Sequence, residues 1–256
     1  MNRALVAATA LTFALSASAA RAQSGPQSTA AALHANLQSQ GIGSVLGPVA
    51  ALDGPPTGKY DRSITLPAVQ RNAAIFPKNP TPTLFSNATG VTSHVSGSGI
   101  AVDSRSSEGD NALATVNLML SLNPPPPTAN PTPFPPLLIN AKEVISSANF
   151  SIQYGIGSFA SGATSFGSLT ITGTLLGGKV LKYSGQVPPN TLAFDSPAVT
   201  VTLNRQVKYG VITCNPACGF TPTSIEVTAI DVALHNADDY GTKVSGDIQV
   251  NHDTAS

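Results

Sequence analysis

From Asn111 to Leu122 the chain reads NALATVNLMLSL, and the fourteen residues that follow, NPPPPTANPTPFPP, hold eight prolines. A period of two sets Leu113, Thr115, Asn117 and Met119 against Ala114, Val116, Leu118 and Leu120, the pattern of a strand with two unlike faces. Proline has no backbone N–H to give to a ladder, so the strand must stop and the chain continue as extended, polyproline-like segment. A helix is excluded over this stretch. The run 123–136 is expected as a long rigid loop within one sheet system rather than a linker between domains.

The same period recurs along the chain. It appears in AALHANLQSQ (31–40), in RSITLPAV, whose Pro67 marks an edge or a strand end, and in TSIEVTAIDVALHN. GVTSHVSGSGIAVDS is expected to be two short strands folded at Gly97-Ser98-Gly99, and SLTITGTLLGGKVLKY a hairpin turning at Gly177-Gly178. LLINAKEVISSANFSIQY reads as one long or two broken strands, and KVSGDIQVNHD as the last. Charged residues are 10% of the chain and glutamate occurs three times, so the polar faces of amphipathic helices have little to be made of. The expectation is all-β, a β-sandwich of Greek-key or jelly-roll kind with roughly a dozen strands. An outer-membrane barrel is disfavoured: aromatic residues are 5%, tryptophan is absent, and prolines interrupt the segments that would cross.

The N-terminus, MNRALVAATALTFALSASAARAQS, places Arg3 before an apolar run from Ala4 to Leu15, then small residues and Ala20-Arg21-Ala22. That order is a secretory signal peptide cut after Ala22, and the run is too short to span a bilayer. Residues 23–60 are then an extended segment packing on or extending a domain at 61–256. Removing Arg3 and Arg21 from the 13 basic residues leaves 11 against 13 acidic ones. Without a basic stripe the chain is not expected to bind nucleic acid or anionic lipid, and the mature chain holds no integral membrane segment.

Chemical motifs are sparse. The only cysteines, Cys214 and Cys218, flank Asn215-Pro216-Ala217 in VITCNPACGF. The spacing is one longer than a redox C-x-x-C, and no second ligand pair completes a zinc site. In an oxidising compartment they are expected to form a local disulfide across a hairpin tip, free or metal-bound thiols being the alternatives. His34, His94, His235 and His252 lie in separate segments, with no H-E-x-x-H, G-x-S-x-G or phosphate-binding loop. Two acidic stretches offer oxygens to calcium: Asp103, Glu108, Asp110 and Asn111, and Asn236, Asp238 and Asp239. Neither has EF-hand spacing, and solvated turns are the simpler reading. Thr170, Thr172 and Thr174 would line one strand face, a row that suits a glycan or another ordered surface but is more commonly just solvent-facing.

PPNTLAFDSPAVTVTLNRQV, TSIEVTAIDVALHN and the closing GDIQVNHDTAS resemble the C-terminal half of the choice-of-anchor P family, with Val201 to Gln206 and Val227 to Val232 carrying the likeness. LLINAKEVISSANF resembles the family's preceding strand, which extends the similarity over about residues 85–256. The resemblance implies a bacterial exported β-rich surface protein and brings no catalytic residues. The ending VNHDTAS has no sorting motif, so secretion, the periplasm or non-covalent surface attachment is expected. The sequence therefore leads to a non-enzymatic protein with a structural or adhesive role, without a cofactor. Its expected partners are other surface proteins or itself, by strand addition. A glycan- or calcium-binding module is the alternative and a secreted hydrolase a third.

Overall fold

The computed structural model describes residues 27–39, 42–55, 58–74, 83–101, 104–121, 136–214, 218–239 and 242–256. The expected signal peptide, nearly all of the proline-rich run, Asp103, and the side chains of Cys214, Cys218, Asp238 and Asp239 lie outside the described residues. The strands are β1 (Ser28–Ser39), β2 (Ile42–Val49), β3 (Leu52–Asp53), β4 (Tyr60–Ala74), β5 (Thr83–Ala101), β6 (Ser104–Ser121) and β7 (Leu137–Gln153). They continue as β8 (Gly157–Thr172), β9 (Leu181–Gln186), β10 (Thr191–Asp195), β11 (Val199–Cys214), β12 (Cys218–Asp239) and β13 (Thr242–Ala255). A single 3-10 turn, Thr174–Leu176, joins β8 to β9.

Two antiparallel sheets face each other. The first runs β10-β11-β12-β13-β1-β2, with β3 also on β1, and the second runs β4-β5-β6-β7-β8-β9. The all-β sandwich is as expected. The connectivity is a meander in which sheet neighbours follow chain order, instead of the Greek-key or jelly-roll crossing expected; the exceptions meet at β1, which sits between β13 and β2 and also pairs with β3. Residues 28–53 thus supply strands of the first sheet itself, and Gln27 and Ser256 bond each other's backbone at 3.0 and 2.8 Å. Pro67 falls in β4, an edge strand, where its missing N–H breaks no ladder. Among the described residues no helix is long and apolar enough to cross a membrane.

The core lies between the sheets, where Leu37, Leu84, Leu113, Leu118, Leu120, Leu137, Ile139 and Leu169 are fully buried. Each such side chain stabilises the fold by about 1.5–3 kcal/mol relative to exposure. Strict alternation, however, fails once in most strands. In β6 the buried set is Leu113, then Val116, Leu118 and Leu120, so Leu113 does not share a face with Thr115 and Asn117 as the sequence predicts. The slip occurs at one level across the whole second sheet: Pro67, Gly90, Ala114, Glu143 and Gly167 lie side by side in the register, all exposed. In the first sheet the corresponding line is Asn204, Ala229, Asn251 and Ala32, all buried.

The cause is local backbone geometry on alternate strands. Gly90, Glu143, Asn204 and Asn251 have φ of 56°, 50°, 49° and 48°. One left-handed residue in a strand turns the following side chains to the opposite face, which is cheap for glycine and tolerable for asparagine. At this level the first sheet pushes an extra row of side chains inward and the second turns a row outward, so the two creases nest. Glu143 is the costly member, a non-glycine residue held left-handed at an exposed site. Glu143→Gly is expected to leave the fold intact and raise stability by up to about 1 kcal/mol, read from urea midpoints; a loss would mean its side chain does more than cover Gly167.

Two other expectations change. β5 continues through Gly97-Ser98-Gly99 and pairs with β6 as far as Ala101↔Ser104, with a register irregularity between Ser98 and Ala101. Gly97 belongs to the strand because the Tyr60 ring lies where its Cβ would be, 2.3 Å away. The threonine row also breaks, since Thr170 and Thr172 are on β8 whereas Thr174 begins the 3-10 turn.

Candidate functional site

Three arrangements of polar or exposed side chains stand out. The first is buried between the sheets. Asp253 of β13 is fully buried, with Asn111 Nδ2 donating to its Oδ1 at 2.6 Å and Ser146 Oγ donating to its Oδ2. Ser93 Oγ donates to Asn111 Oδ1 at 2.5 Å, and Asn251 Nδ2 reaches the carbonyls of Val144 and Asn111 at 3.3 and 3.4 Å. Burial pushes the Asp253 carboxyl well above the usual range, against the pull of its hydrogen bonds to Ser146 and Asn111. The cluster ties β13 to β5, β6 and β7 through side chains that have no path to solvent. That is a staple between layers, not a place for a substrate.

The second is the outer face of the second sheet, which holds the sequence's acidic candidates. Glu108 and Asp110 are two apart on β6 and both point outward, while Asn111 points in to the buried staple. His94 on β5 stands between Asp61 and Asp110, its Nε2 3.0 Å from one and its Nδ1 3.2 Å from the other. Burial alone would lower the His94 pKa, but the hydrogen bonds and charges of Asp110 and Asp61 outweigh it and raise it. Burial and the Asp110 charge raise Glu108, and burial raises Asp110 despite His94. The imidazole thus occupies the space between carboxylates that a cation would need. Among the described residues no group of three or more His, Cys, Asp or Glu side chains is arranged to hold a metal. Beside this row a hollow of about 230 Å³ is lined by Ser96, Ser106, Glu108, Asn149, Ser151 and Phe159.

The structure also brings together residues that the sequence left apart. His34 and His252 share a groove with Asp53 on the outer face of the first sheet, because β1 and β13 are neighbours. Burial lowers the His252 pKa, and its Nδ1 is 3.0 Å from Thr228 Oγ1. Thr200 bonds both Asp195, at 2.8 Å, and His235, at 3.1 Å, an order that puts the hydroxyl rather than the imidazole in the middle. A hydroxyl is activated by a base that an acid orients from behind, and this arrangement lacks that sequence.

The third is an apolar end of the molecule. β12 pairs with β13 only from Ile225 onward, and β11 pairs with β10 only up to Leu203. Beyond those points β11 and β12 continue together, from Tyr209↔Ser224 to Cys214↔Cys218, as an arm that projects past the sheet. Tyr209, Val211, Ile212 and Phe220 are exposed on it, Ile212 to 69%. The adjacent β7–β8 turn exposes Tyr154 to 81% and Ile156 to 68%, together with Phe159. Ser158 Oγ, donating to the Pro222 carbonyl at 2.6 Å, ties turn and arm together. The base of the arm is held by Ile225, Val227 and Ala255 packed on Ala148 and Phe150. Scattered exposed apolar residues are ordinary, but these cluster on two neighbouring hairpins. The signal was present in QYGIGSF and VKYGVIT, where aromatic and branched residues crowd around tight hairpins. Pattern reading assigns such residues to the core by default.

No family model, curated protein or solved structure matches the chain.

Proposed function

We propose that this chain is an exported, non-enzymatic bacterial β-sandwich protein with a structural or adhesive role at or outside the cell surface, as a subunit of a surface assembly. The observation that carries the reading is the projecting arm. A fold that buries Leu84, Leu118, Leu120 and Leu137 completely yet leaves Tyr154, Ile156, Tyr209, Val211 and Ile212 in solvent keeps them for a neighbour. The N-terminal leader and the likeness to choice-of-anchor P proteins support export and surface residence. Fractionation of the native cell tests it. The protein should lie in the medium, the periplasm or the surface fraction, and shortening the arm should release it from whatever holds it. A cytoplasmic pool that persists after full processing would overturn the reading.

Export also implies that Cys214 and Cys218 form a disulfide. Their backbones are direct cross-strand partners. Such partners have Cα atoms about 4.5–5.5 Å apart, inside the range a disulfide spans. Intact mass of the purified mature chain is expected to rise by about 2 Da on reduction; an unchanged mass would leave both thiols free and count against an oxidising compartment.

A glycan-binding role is the second reading, favoured by the hollow beside Phe159, where hydroxyl and amide groups line a face with an aromatic edge. Titration calorimetry against a glycan panel, with and without calcium, should give heat for some member. A blank across the panel removes this reading and leaves the first untouched.

A further inference from the structure

The arm has two long edges, and they differ. Along β12 the edge from Gly219 to Ser224 contains Pro222, whose carbonyl is already taken by Ser158. Proline cannot donate to an added strand, so this edge is blunted. Along β11, by contrast, residues 207–213 read VKYGVIT: strand-prone, free of proline, with Lys208 as the single charge. β10 stops at Leu203 on that side, so among the described residues the β11 edge of the arm has no strand beside it. An unpaired edge of this kind takes another strand, because its N–H and C=O groups otherwise rest on water alone.

We infer that the β11 edge of the arm, Val207–Thr213, pairs antiparallel with the same edge of a second copy, joining two molecules by a continuous four-stranded arm. This rests on the reading of the protein as an assembly subunit and names the partner. The segment is self-complementary about Gly210. An antiparallel pairing centred there sets Tyr209 against the second copy's Val211, and Lys208 against its Ile212. Aromatic and branched residues are then cross-strand neighbours, and no cation meets a cation. The symmetry closes as a twofold, which is the commonest way for like chains to associate. Because the arm projects beyond the sheet, an antiparallel pairing puts the two sandwiches at opposite ends of the joined strands.

A charge exchange tests register as well as association. The mature chain is expected to sediment as a dimer at concentrations where Ile212→Lys is monomeric. That substitution, at an exposed position, places a cation opposite the second copy's Lys208 twice per dimer and should raise the dissociation constant about tenfold or more. The double variant Lys208→Glu/Ile212→Lys turns both contacts into opposite-charge pairs and should restore the dimer. A wild-type chain monomeric at all concentrations overturns the inference, as does a dimer indifferent to Ile212→Lys or one that the double variant fails to restore. So does binding of the arm to phosphatidylcholine vesicles in place of a second copy. Surface location is measured separately, so a monomeric protein still held at the surface would defeat this pairing and spare the assembly reading.

Discussion

Asp253→Ala should be the most damaging single side-chain truncation in the core, costing about 3–5 kcal/mol in urea denaturation at neutral pH. Its carboxyl is the shared acceptor of Asn111 Nδ2 and Ser146 Oγ, and all three groups are buried. Alanine leaves both donors without a partner, each worth about 1–3 kcal/mol once stranded from water. It also leaves a void in a layer that cannot collapse easily. Asp253→Asn separates geometry from charge. The amide oxygen can still accept from Asn111, and its N–H can donate to Ser146 Oγ, which reproduces the bonds of the protonated acid. This variant is expected within about 1 kcal/mol of the parent at low pH and above it at neutral pH.

The pH dependence follows from the direction of the shift. The Asp253 carboxyl is raised well above its ordinary value by burial. Between the unfolded-state pKa near 3.9 and the higher folded one, the folded chain keeps a proton that the unfolded chain has released. The favourable contribution is therefore complete below about pH 3.9 and falls as pH rises towards the folded pKa. Asp253→Asn removes this slope. If the parent and Asp253→Asn curves ran parallel from pH 4 to 8, the carboxyl would not be the buried titrating group described here. If Asp253→Ala cost under about 1 kcal/mol, the staple would be ornamental.

The alternating residues made the sandwich legible from sequence, and of the two positions that Pro67 suggests, an edge or a strand end, β4 takes the edge. Element positions were equally readable from the alternation on either side of the slip, as in Leu33, Ala35 and Leu37 of β1. The creases were not readable. A left-handed residue leaves no mark in a hydrophobic pattern except a one-residue slip, and Asn204 and Asn251 stand among other strand asparagines, such as Asn87, Asn117 and Asn140, that are not left-handed. The slip in β6 hid behind Val116, Leu118 and Leu120, which look like a continuous apolar face with either phase. Connectivity was hidden for a different reason: meander and Greek key share the same strand list and differ only in which neighbour each strand finds. Among the calcium candidates, Glu108 and Asp110 fall on the outer face and Asn111 on the inner, because neighbours along a strand alternate. His94, the residue that fills the space beside them, comes from another strand. The arm was legible as a hairpin from VITCNPACGF, but its projection past the sheet depends on where β10 and β13 end, which is a property of the whole fold.

Gly109→Ala should be nearly as costly as truncating Asp253, at about 3 kcal/mol, although it adds one methyl group. A Cβ at this position would stand 2.5 Å from the carbonyl oxygen of Thr29 and 2.9 Å from that of Thr254. Overpacking in a core usually costs about 1–3 kcal/mol because side chains find new rotamers. Here both obstacles are backbone of the opposite sheet, and neither can rotate away. The methyl can be housed only by parting the sheets at the end where Gln27 meets Ser256. Ala255 belongs to the small cluster that anchors the arm, with Ile225 and Val227. Gly109→Ala should therefore also loosen the arm, seen as faster amide exchange at 209–224 than at 229–234 in the same strand system. Gly47→Ala is the control: nothing lies within 4 Å of its Cβ and its φ is ordinary. Removing that glycine should be neutral or stabilise the fold by up to about 1 kcal/mol through the unfolded chain. Equal effects at the two sites would mean that the close approach of the sheets at Gly109 does not hold the arm's end of the sandwich together.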